Sequence, residues 1–134
     1  MKGILLASHG KFAEGMLDTI NIFSANPDQI EAICLSPGDD MAGFINKIKE
    51  AIDRLDTGDG VMVFCDLLFG TPCNCSGRLL KDETYADRVT VITGMNLSMV
   101  LEYVGSRETG IELDQLLTTG KDGIADFGSI LKNR

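Results

Sequence analysis

The chain has 134 residues, 44% of them hydrophobic and 24% charged, a balance typical of a globular domain, so residues 1–134 are taken as a single domain. Its formal net charge of -8 argues against a nucleic-acid partner, because a phosphate backbone is bound by clustered Lys and Arg. The sequence has neither a signal-peptide pattern nor a run of about 20 apolar residues that could cross a bilayer, which predicts a cytoplasmic protein.

The first half of the chain alternates apolar runs with amphipathic stretches. Residues 2–8 predict a buried strand, and residues 11–24 a helix because their apolar side chains recur at helical spacing. A turn at residues 26–28 leads to a second strand over residues 29–35. The Ser36-Pro37-Gly38 turn then leads to a second helix over residues 41–55.

The second half continues this alternation. Residues 57–60 break the second helix, and residues 61–65 are almost all apolar, as in a central parallel strand. In the Gly-Thr-Pro loop that follows, Pro72 suits a first helical turn and Thr71 its cap, which predicts a helix to about residue 82. Residues 88–93 predict a strand, and residues 97–107 and 112–119 predict helices. The tail, residues 124–131, fits either an edge strand or a frayed helix.

Four successive strand–helix units predict an α/β fold, an open and mainly parallel sheet with helices on both faces. In such sheets, ligands bind outside the carboxyl ends of the strands, near a switch in strand order. The loops at those ends should therefore meet at one edge of the sheet, and they comprise residues 8–10, 36–39, 66–72 and 94–96.

His9 is the only histidine in the chain, and it lies at the first strand-to-helix junction. A lone histidine often has a structural role, but a neutral imidazole is also a nucleophile that forms covalent intermediates. The N-terminus of the following helix offers amide groups to an anion, and Gly10 lets the backbone come close. This position favours a phosphoryl group carried on His9.

Two other residues have both a structural and a functional interpretation. Asp66 either caps a loop or accepts a hydrogen bond from a ring nitrogen of His9 and fixes its tautomer. Thr71 either caps the third helix or donates its hydroxyl to a phosphoryl oxygen. The surrounding glycine turn is not a Walker A loop, because it lacks the Lys-[Ser/Thr] pair.

The cysteines provide weaker alternatives. Cys34 and Cys65 lie in apolar runs and are predicted core residues, while Cys73 and Cys75 have no further Cys or His nearby. A nucleophilic Cys73 near a helix start ranks below His9. We expect no metal site, no disulfide framework and no cofactor.

Together, these motifs resemble the mannose-class IIA (EIIA) family of the phosphoenolpyruvate-dependent sugar phosphotransferase system (PTS), over essentially the whole chain. The resemblance implies a phosphotransferase in which His9 accepts a phosphoryl group from the carrier protein HPr and transfers it to an EIIB component during sugar uptake. It implies that Asp66 orients His9 and that Thr71 hydrogen-bonds the phosphoryl group. The residues expected to line this site are Gly10, Ser36, Gly38, Phe69, Gly70 and Asn96.

The same resemblance implies a flavodoxin-like three-layer sandwich and a homodimer whose subunits exchange a C-terminal antiparallel strand at about residues 123–131. Because the chain ends at Arg134, its EIIB partner is expected on a separate chain, and the membrane components EIIC and EIID are contacted only indirectly. Phe69 stands where the family is expected to have glycine, and Lys11 and Phe12 follow the histidine at variable positions. These departures are expected to affect partner choice rather than chemistry.

Three rival functions are weighed against this one. The phosphocarrier subunit of a dihydroxyacetone kinase shares the fold and the histidine but usually has small residues in place of the Gly-Thr-Pro turn. A flavin or nucleotide module needs a hydroxyl- and glycine-rich loop after the first strand, which residues 8–11 hardly supply. A non-catalytic flavodoxin-like binding module would not need His9.

Overall fold

A computed structural model describes residues 1–24 and 28–133, so most of the turn predicted at residues 26–28 lies outside the described residues. The chain forms two compact units, Met1–Met95 and Asn96–Arg134. None of the helices in the described ranges is long and apolar enough to cross a membrane.

The first unit is an α/β unit with a four-stranded parallel sheet, as predicted. Its third helix ends at Leu79, earlier than expected from the sequence. Its elements in chain order are β1 (Gly3–His9), α1 (Phe12–Phe23), β2 (Ile30–Leu35), α2 (Met41–Leu55), β3 (Val61–Cys65), α3 (Thr71–Leu79), a short 3-10 helix (Ala86–Arg88) and β4 (Val89–Ile92).

Helices cover both faces of this sheet because the side chains of β1 alternate between two apolar faces. Leu5 and Ala7 belong to a core cluster with α2 and α3, whereas Ile4 and Leu6 are buried outside that cluster. Helix α1 contacts β1 and β2 and buries Ile20. Full burial of each such aliphatic side chain contributes about 1.5–3 kcal/mol, which stabilises the three-layer arrangement.

The strand order β2-β1-β3-β4 creates a switch point between β1 and β3, since the chain runs outward to β2 on one side and to β4 on the other. This is the flavodoxin-like order. Ala7 pairs with Cys65 across β1 and β3, and His9 pairs with Leu35 across β1 and β2. The register thus brings the residues that follow Ala7 and Cys65 to the same edge of the sheet.

The second unit consists of α4 (Leu97–Ser106), α5 (Leu113–Asp122) and α6 (Phe127–Lys132). Helices α4 and α5 pack closely at Gly120, where an added Cβ would lie 2.6 Å from Met99 Cε. The bounds of α4 and α5 agree with the predicted helices to within a few residues.

The prediction of a C-terminal strand is wrong, because residues 127–132 form helix α6. Asp126 caps the helix by accepting hydrogen bonds from Gly128 N at 3.1 Å and Ser129 Oγ at 2.7 Å. Capping of this kind satisfies amide groups that the first helical turn leaves unpaired. The exchange of this segment between subunits stays a prediction.

Candidate functional site

His9 and Asp66 meet at the switch point of the sheet. Asp66 Oδ2 accepts a hydrogen bond from the backbone N–H of His9 at 2.9 Å and lies 2.9 Å from His9 Nδ1. Its other oxygen, Oδ1, accepts from the backbone N–H of Leu67, also at 2.9 Å. The carboxylate is therefore held by two backbone amides while it contacts the ring. That Asp66 orients His9 for chemistry stays a prediction.

This contact defines which ring nitrogen is available for chemistry. An ionised carboxylate can only accept, so in a neutral ring this contact favours the proton on Nδ1 and the lone pair on Nε2. The side chain of His9 is 44% exposed, whereas that of Asp66 is only 15% exposed. The pair thus presents a reachable imidazole on a nearly buried carboxylate.

Gly70 brings the backbone against the free side of the His9 ring. A Cβ built on Gly70 would lie 2.7 Å from His9 Cε1 and 3.4 Å from His9 Nε2, and the first distance is shorter than real Cβ contacts allow. The N–H of Gly70 donates to Leu67 O at 3.0 Å, which closes a tight turn. Only glycine permits this approach, so the predicted role of Gly70 at the site has a steric basis.

Helix α3 begins directly after that contact. Gly70 is the capping residue and Thr71 the first residue of the helix, so the prediction that Thr71 caps the helix is wrong. The first intrahelical bond runs from Asn74 N to Gly70 O, at 2.9 Å. The amides of Thr71 and Cys73 precede that bond and have no intrahelical acceptor, whereas Pro72 has no N–H to satisfy. The helix therefore presents two amides and its positive dipole end beside the ring.

Ser8 was not predicted as a site residue, yet it holds the β1–α1 junction in place. Its buried hydroxyl accepts a hydrogen bond from Ala13 N at 2.7 Å and donates to Gly10 O at 3.4 Å. The N–H of Gly10 in turn donates to Leu35 O at 2.8 Å. The available signal was a serine near the end of β1, four residues before α1 begins, because serine oxygens satisfy first-turn amides.

The loop after β2 starts beside His9, since His9 pairs with Leu35, the residue before Ser36. The loop is closed by Asp39, whose carboxylate accepts from Ser36 N at 2.8 Å. Gly38 has a φ of +91°, which suits glycine in this turn. These contacts stabilise the loop next to His9, and the direct participation of Ser36 and Gly38 stays a prediction.

Asn96 has a structural role within the second unit. Its side-chain oxygen accepts from Met99 N at 3.0 Å and caps α4, while its Nδ2 donates to Gly120 O at 3.0 Å on α5. Both polar ends of the amide are used in this way. The expectation that Asn96 lines the histidine site stays a prediction.

Two of the four cysteines are buried thiols with raised pKa values. Burial raises the pKa of the Cys65 thiol to about 12 and also raises the pKa of Cys75, which keeps both protonated near neutral pH. All four cysteines are free. Across residues 1–24 and 28–133, no three His, Cys, Asp or Glu side chains cluster as a metal-binding group.

The fold and this site define a flavodoxin-like α/β protein with an exposed imidazole, in contact with a carboxylate, at the sheet switch point. Residues 3–119 match the family described as PTS system fructose IIA component (EIIA-man), and the chain belongs to that family. This finding confirms the family resemblance seen in the motifs.

Individual relatives agree with this assignment. The chain is 28% identical over 125 residues to the PTS system mannose-specific EIIAB component of Escherichia coli K12, a match that covers 90% of the chain and 38% of that relative. The chain thus spans about two fifths of that relative's length.

Two solved structures are also similar. A phosphotransferase system component EIIA from Streptococcus agalactiae is 28% identical with a TM-score of 0.84, and the match covers 96% of this chain and 99% of that one. A PTS IIA protein associated with the fucose utilization operon of Streptococcus pneumoniae is 29% identical with a TM-score of 0.86, covering 97% and 96% of the two chains.

Proposed function

We propose that the chain is a phosphotransferase of the PTS whose His9 accepts a phosphoryl group from phosphorylated HPr and passes it to an EIIB component during sugar uptake. The single observation that carries this proposal is the 2.9 Å contact between His9 Nδ1 and Asp66 Oδ2. It leaves Nε2 as the nucleophile, and the ring edge formed by Cε1 and Nε2 lies against Gly70, the residue before α3.

The chemical step balances without any further reactant. The Nε2 lone pair attacks phosphorus while the phosphorus–nitrogen bond of the donor's phosphohistidine breaks, and that bond's electron pair returns to the donor nitrogen. The His9 ring, which keeps its proton on Nδ1, gains positive charge as the new bond forms. Asp66 stabilises this charge, which is the role that a carboxylate has beside a reacting imidazole. The reverse sequence transfers the group to EIIB.

The start of α3 supplies the other half of the site. A phosphoryl group carries about two negative charges near pH 7, and the unpaired amides of Thr71 and Cys73 are suitable donors to its oxygens. The helix dipole adds about 0.3–1 kcal/mol for an anion at this end. The Thr71 hydroxyl makes no hydrogen bond within the described ranges and is therefore available as a third donor. Phosphoryl transfer depends mostly on such positioning.

The proposed partners are HPr as donor and an EIIB component as acceptor, with EIIC and EIID in the membrane reached only through EIIB. These exchanges would take place in the cytoplasm. The family membership supports a place in this relay, and so does the exposure of the His9 ring, because two proteins must reach it in turn.

A homodimer is part of the proposal. Helix α6 exposes Phe127, Ile130 and Leu131, which recur at helical spacing and form one apolar face. An apolar face of this kind in a monomer is a candidate for burial by a second copy. Sedimentation of the wild type and of a Phe127→Ser/Ile130→Ser variant tests it, and a wild type that stays monomeric at micromolar concentrations would contradict it.

The phosphocarrier role is tested by intact mass after incubation with phosphoenolpyruvate, enzyme I and HPr. We expect the wild type to gain one acid-labile phosphoryl group and His9→Ala to gain none. Two-dimensional NMR of the phosphorylated protein should place phosphorus on Nε2. If the wild type gains no phosphoryl group with donors of demonstrated activity, the proposed function is wrong.

A further inference from the structure

Phe69 has an unusual backbone for an aromatic residue. It is the third residue of the turn that the Gly70 N to Leu67 O hydrogen bond closes, and its φ is +65°. This region of φ is left-handed, and at this turn position it is normally occupied by glycine or asparagine. A phenylalanine there is strained.

Nothing in the packing of the side chain compensates this strain. The Phe69 side chain is 77% exposed, so its ring is not part of the core. The conformation is instead held by two hydrogen bonds: the Asn74 side-chain amide donates through Nδ2 to Phe69 O at 3.0 Å, and Gly70 N donates to Leu67 O at 3.0 Å. Strained residues that the fold holds in this way cluster at functional sites.

The strained residue Phe69 lies next in sequence to the glycine that contacts the His9 ring. Gly70, the next residue, is the one whose added Cβ would touch the His9 ring, and adjacent Cα atoms are about 3.8 Å apart. Leu67 and Leu68 are exposed as well, so three consecutive apolar side chains are exposed in the turn that ends at Gly70. We expect a protein that brings phosphorus to Nε2 to contact this apolar turn.

We infer that Phe69 is a specificity-determining contact residue for the phosphoryl donor protein, which buries the exposed ring in an apolar surface around its own phosphohistidine. This inference rests on the proposed function. Aromatic side chains dominate the buried centres of interfaces, and exposed aromatic surface gains most from burial. The net charge of -8 further favours a donor with basic residues around that apolar surface.

The test compares initial rates of phosphorylation of full-length variants at increasing concentrations of phospho-HPr. Phe69→Gly and Phe69→Asn both suit a left-handed backbone but lack the aromatic ring. We expect both to raise the KM for phospho-HPr about tenfold, the effect of losing one interface anchor, with kcat changed less than about twofold. Phe69→Tyr should restore a KM near that of the wild type. The matched control is Phe23→Ala, because Phe23 is 64% exposed but ends α1 at the opposite edge of the sheet.

Thermal unfolding separates binding from folding. Because glycine and asparagine relieve the strain at φ +65°, the midpoints of both variants should not fall below that of the wild type. Unchanged KM values in both variants, with a wild type that is phosphorylated, would overturn the inference and leave the proposed function intact. A wild type that phospho-HPr does not phosphorylate would overturn both.

Discussion

Replacing Asp66 by asparagine tests the most specific feature of the site, the carboxylate that contacts the His9 ring. Asp66 Oδ2 accepts a hydrogen bond from the backbone N–H of His9 and contacts His9 Nδ1, while Oδ1 accepts from Leu67 N. Asparagine has one oxygen and one NH₂ group in these places. If the NH₂ faces His9, it opposes a backbone N–H and forces Nδ1 to accept, which moves the ring proton to Nε2. If it faces Leu67, it opposes that amide instead.

The magnitude follows from the bonds that are lost. In either orientation the ring loses its charged partner, and a hydrogen bond to a charged group contributes about 1.5–3 kcal/mol. If this stabilisation is greater in the transition state, where the ring becomes positive, the phosphorylation rate should fall roughly 10- to 150-fold. The same substitution at Asp39, which accepts from Ser36 N in the neighbouring loop, is the matched control and should keep at least about half of the rate.

The assay is single-turnover phosphorylation by phospho-HPr, followed by intact mass. Nitrogen-15 NMR of the unphosphorylated imidazole reports the tautomer separately, and the wild type should show the proton on Nδ1. A folded Asp66→Asn protein that is phosphorylated within threefold of the wild-type rate would refute the role of Asp66. A wild type with its ring proton on Nε2 would refute the assignment of the nucleophile.

Three further predictions concern other contacts. Gly70→Ala should slow phosphorylation about tenfold or more, because the added Cβ would lie 2.7 Å from His9 Cε1 and push the ring away from Asp66. Stopped-flow or quench-flow experiments measure the rate of phosphorylation, and an unchanged rate contradicts the prediction. Alkylation at pH 8 should modify half-buried Cys73 well before Cys65, because burial raises the pKa of the Cys65 thiol to about 12. Peptide mass mapping of the folded protein measures the order of modification, and equal rates at the two cysteines contradict the prediction. The Arg88 guanidinium and then the Gly58 and Gly60 amides hold the pKa of Asp56 below 3.8, so Asp56→Asn should be less stable than the wild type at pH 7. This difference in stability should shrink as the pH falls below about 4, because the wild type then loses the contribution of the ionised carboxylate. Chemical unfolding between pH 7 and 2.5 measures the difference, and a difference that stays constant contradicts the prediction.

The alternation of apolar runs and amphipathic stretches was sufficient to predict the α/β class and the approximate bounds of the helices and strands in the first unit. These features are local, because strand and helix periods are read over a few residues. The contact between His9 and Asp66, which are 57 residues apart, could also be predicted from the sequence. The reason is geometric: carboxyl ends of parallel strands meet at one edge of a sheet.

Other features depended on the tertiary structure. Three features arise from where neighbouring strands and turns lie: the left-handed backbone of Phe69, the contact of Gly70 with the His9 ring, and the hydrogen bond from Ala13 N to Ser8 Oγ. No periodic pattern encodes such contacts, because they depend on register and on turn closure.

In the C-terminal tail, local sequence signals were compatible with the structure and the family resemblance was not. Asp126 and the spacing of Phe127, Ile130 and Leu131 are local helix signals that were compatible with α6, but the family resemblance favoured a strand. The sequence by itself thus determined the class of fold and the chemical identity of the histidine–carboxylate pair. Only the tertiary structure decided the strand order, the 2.9 Å contact of His9 Nδ1 with Asp66 Oδ2 and the strained turn beside it, because these depend on how strands pair and how the turns between them close.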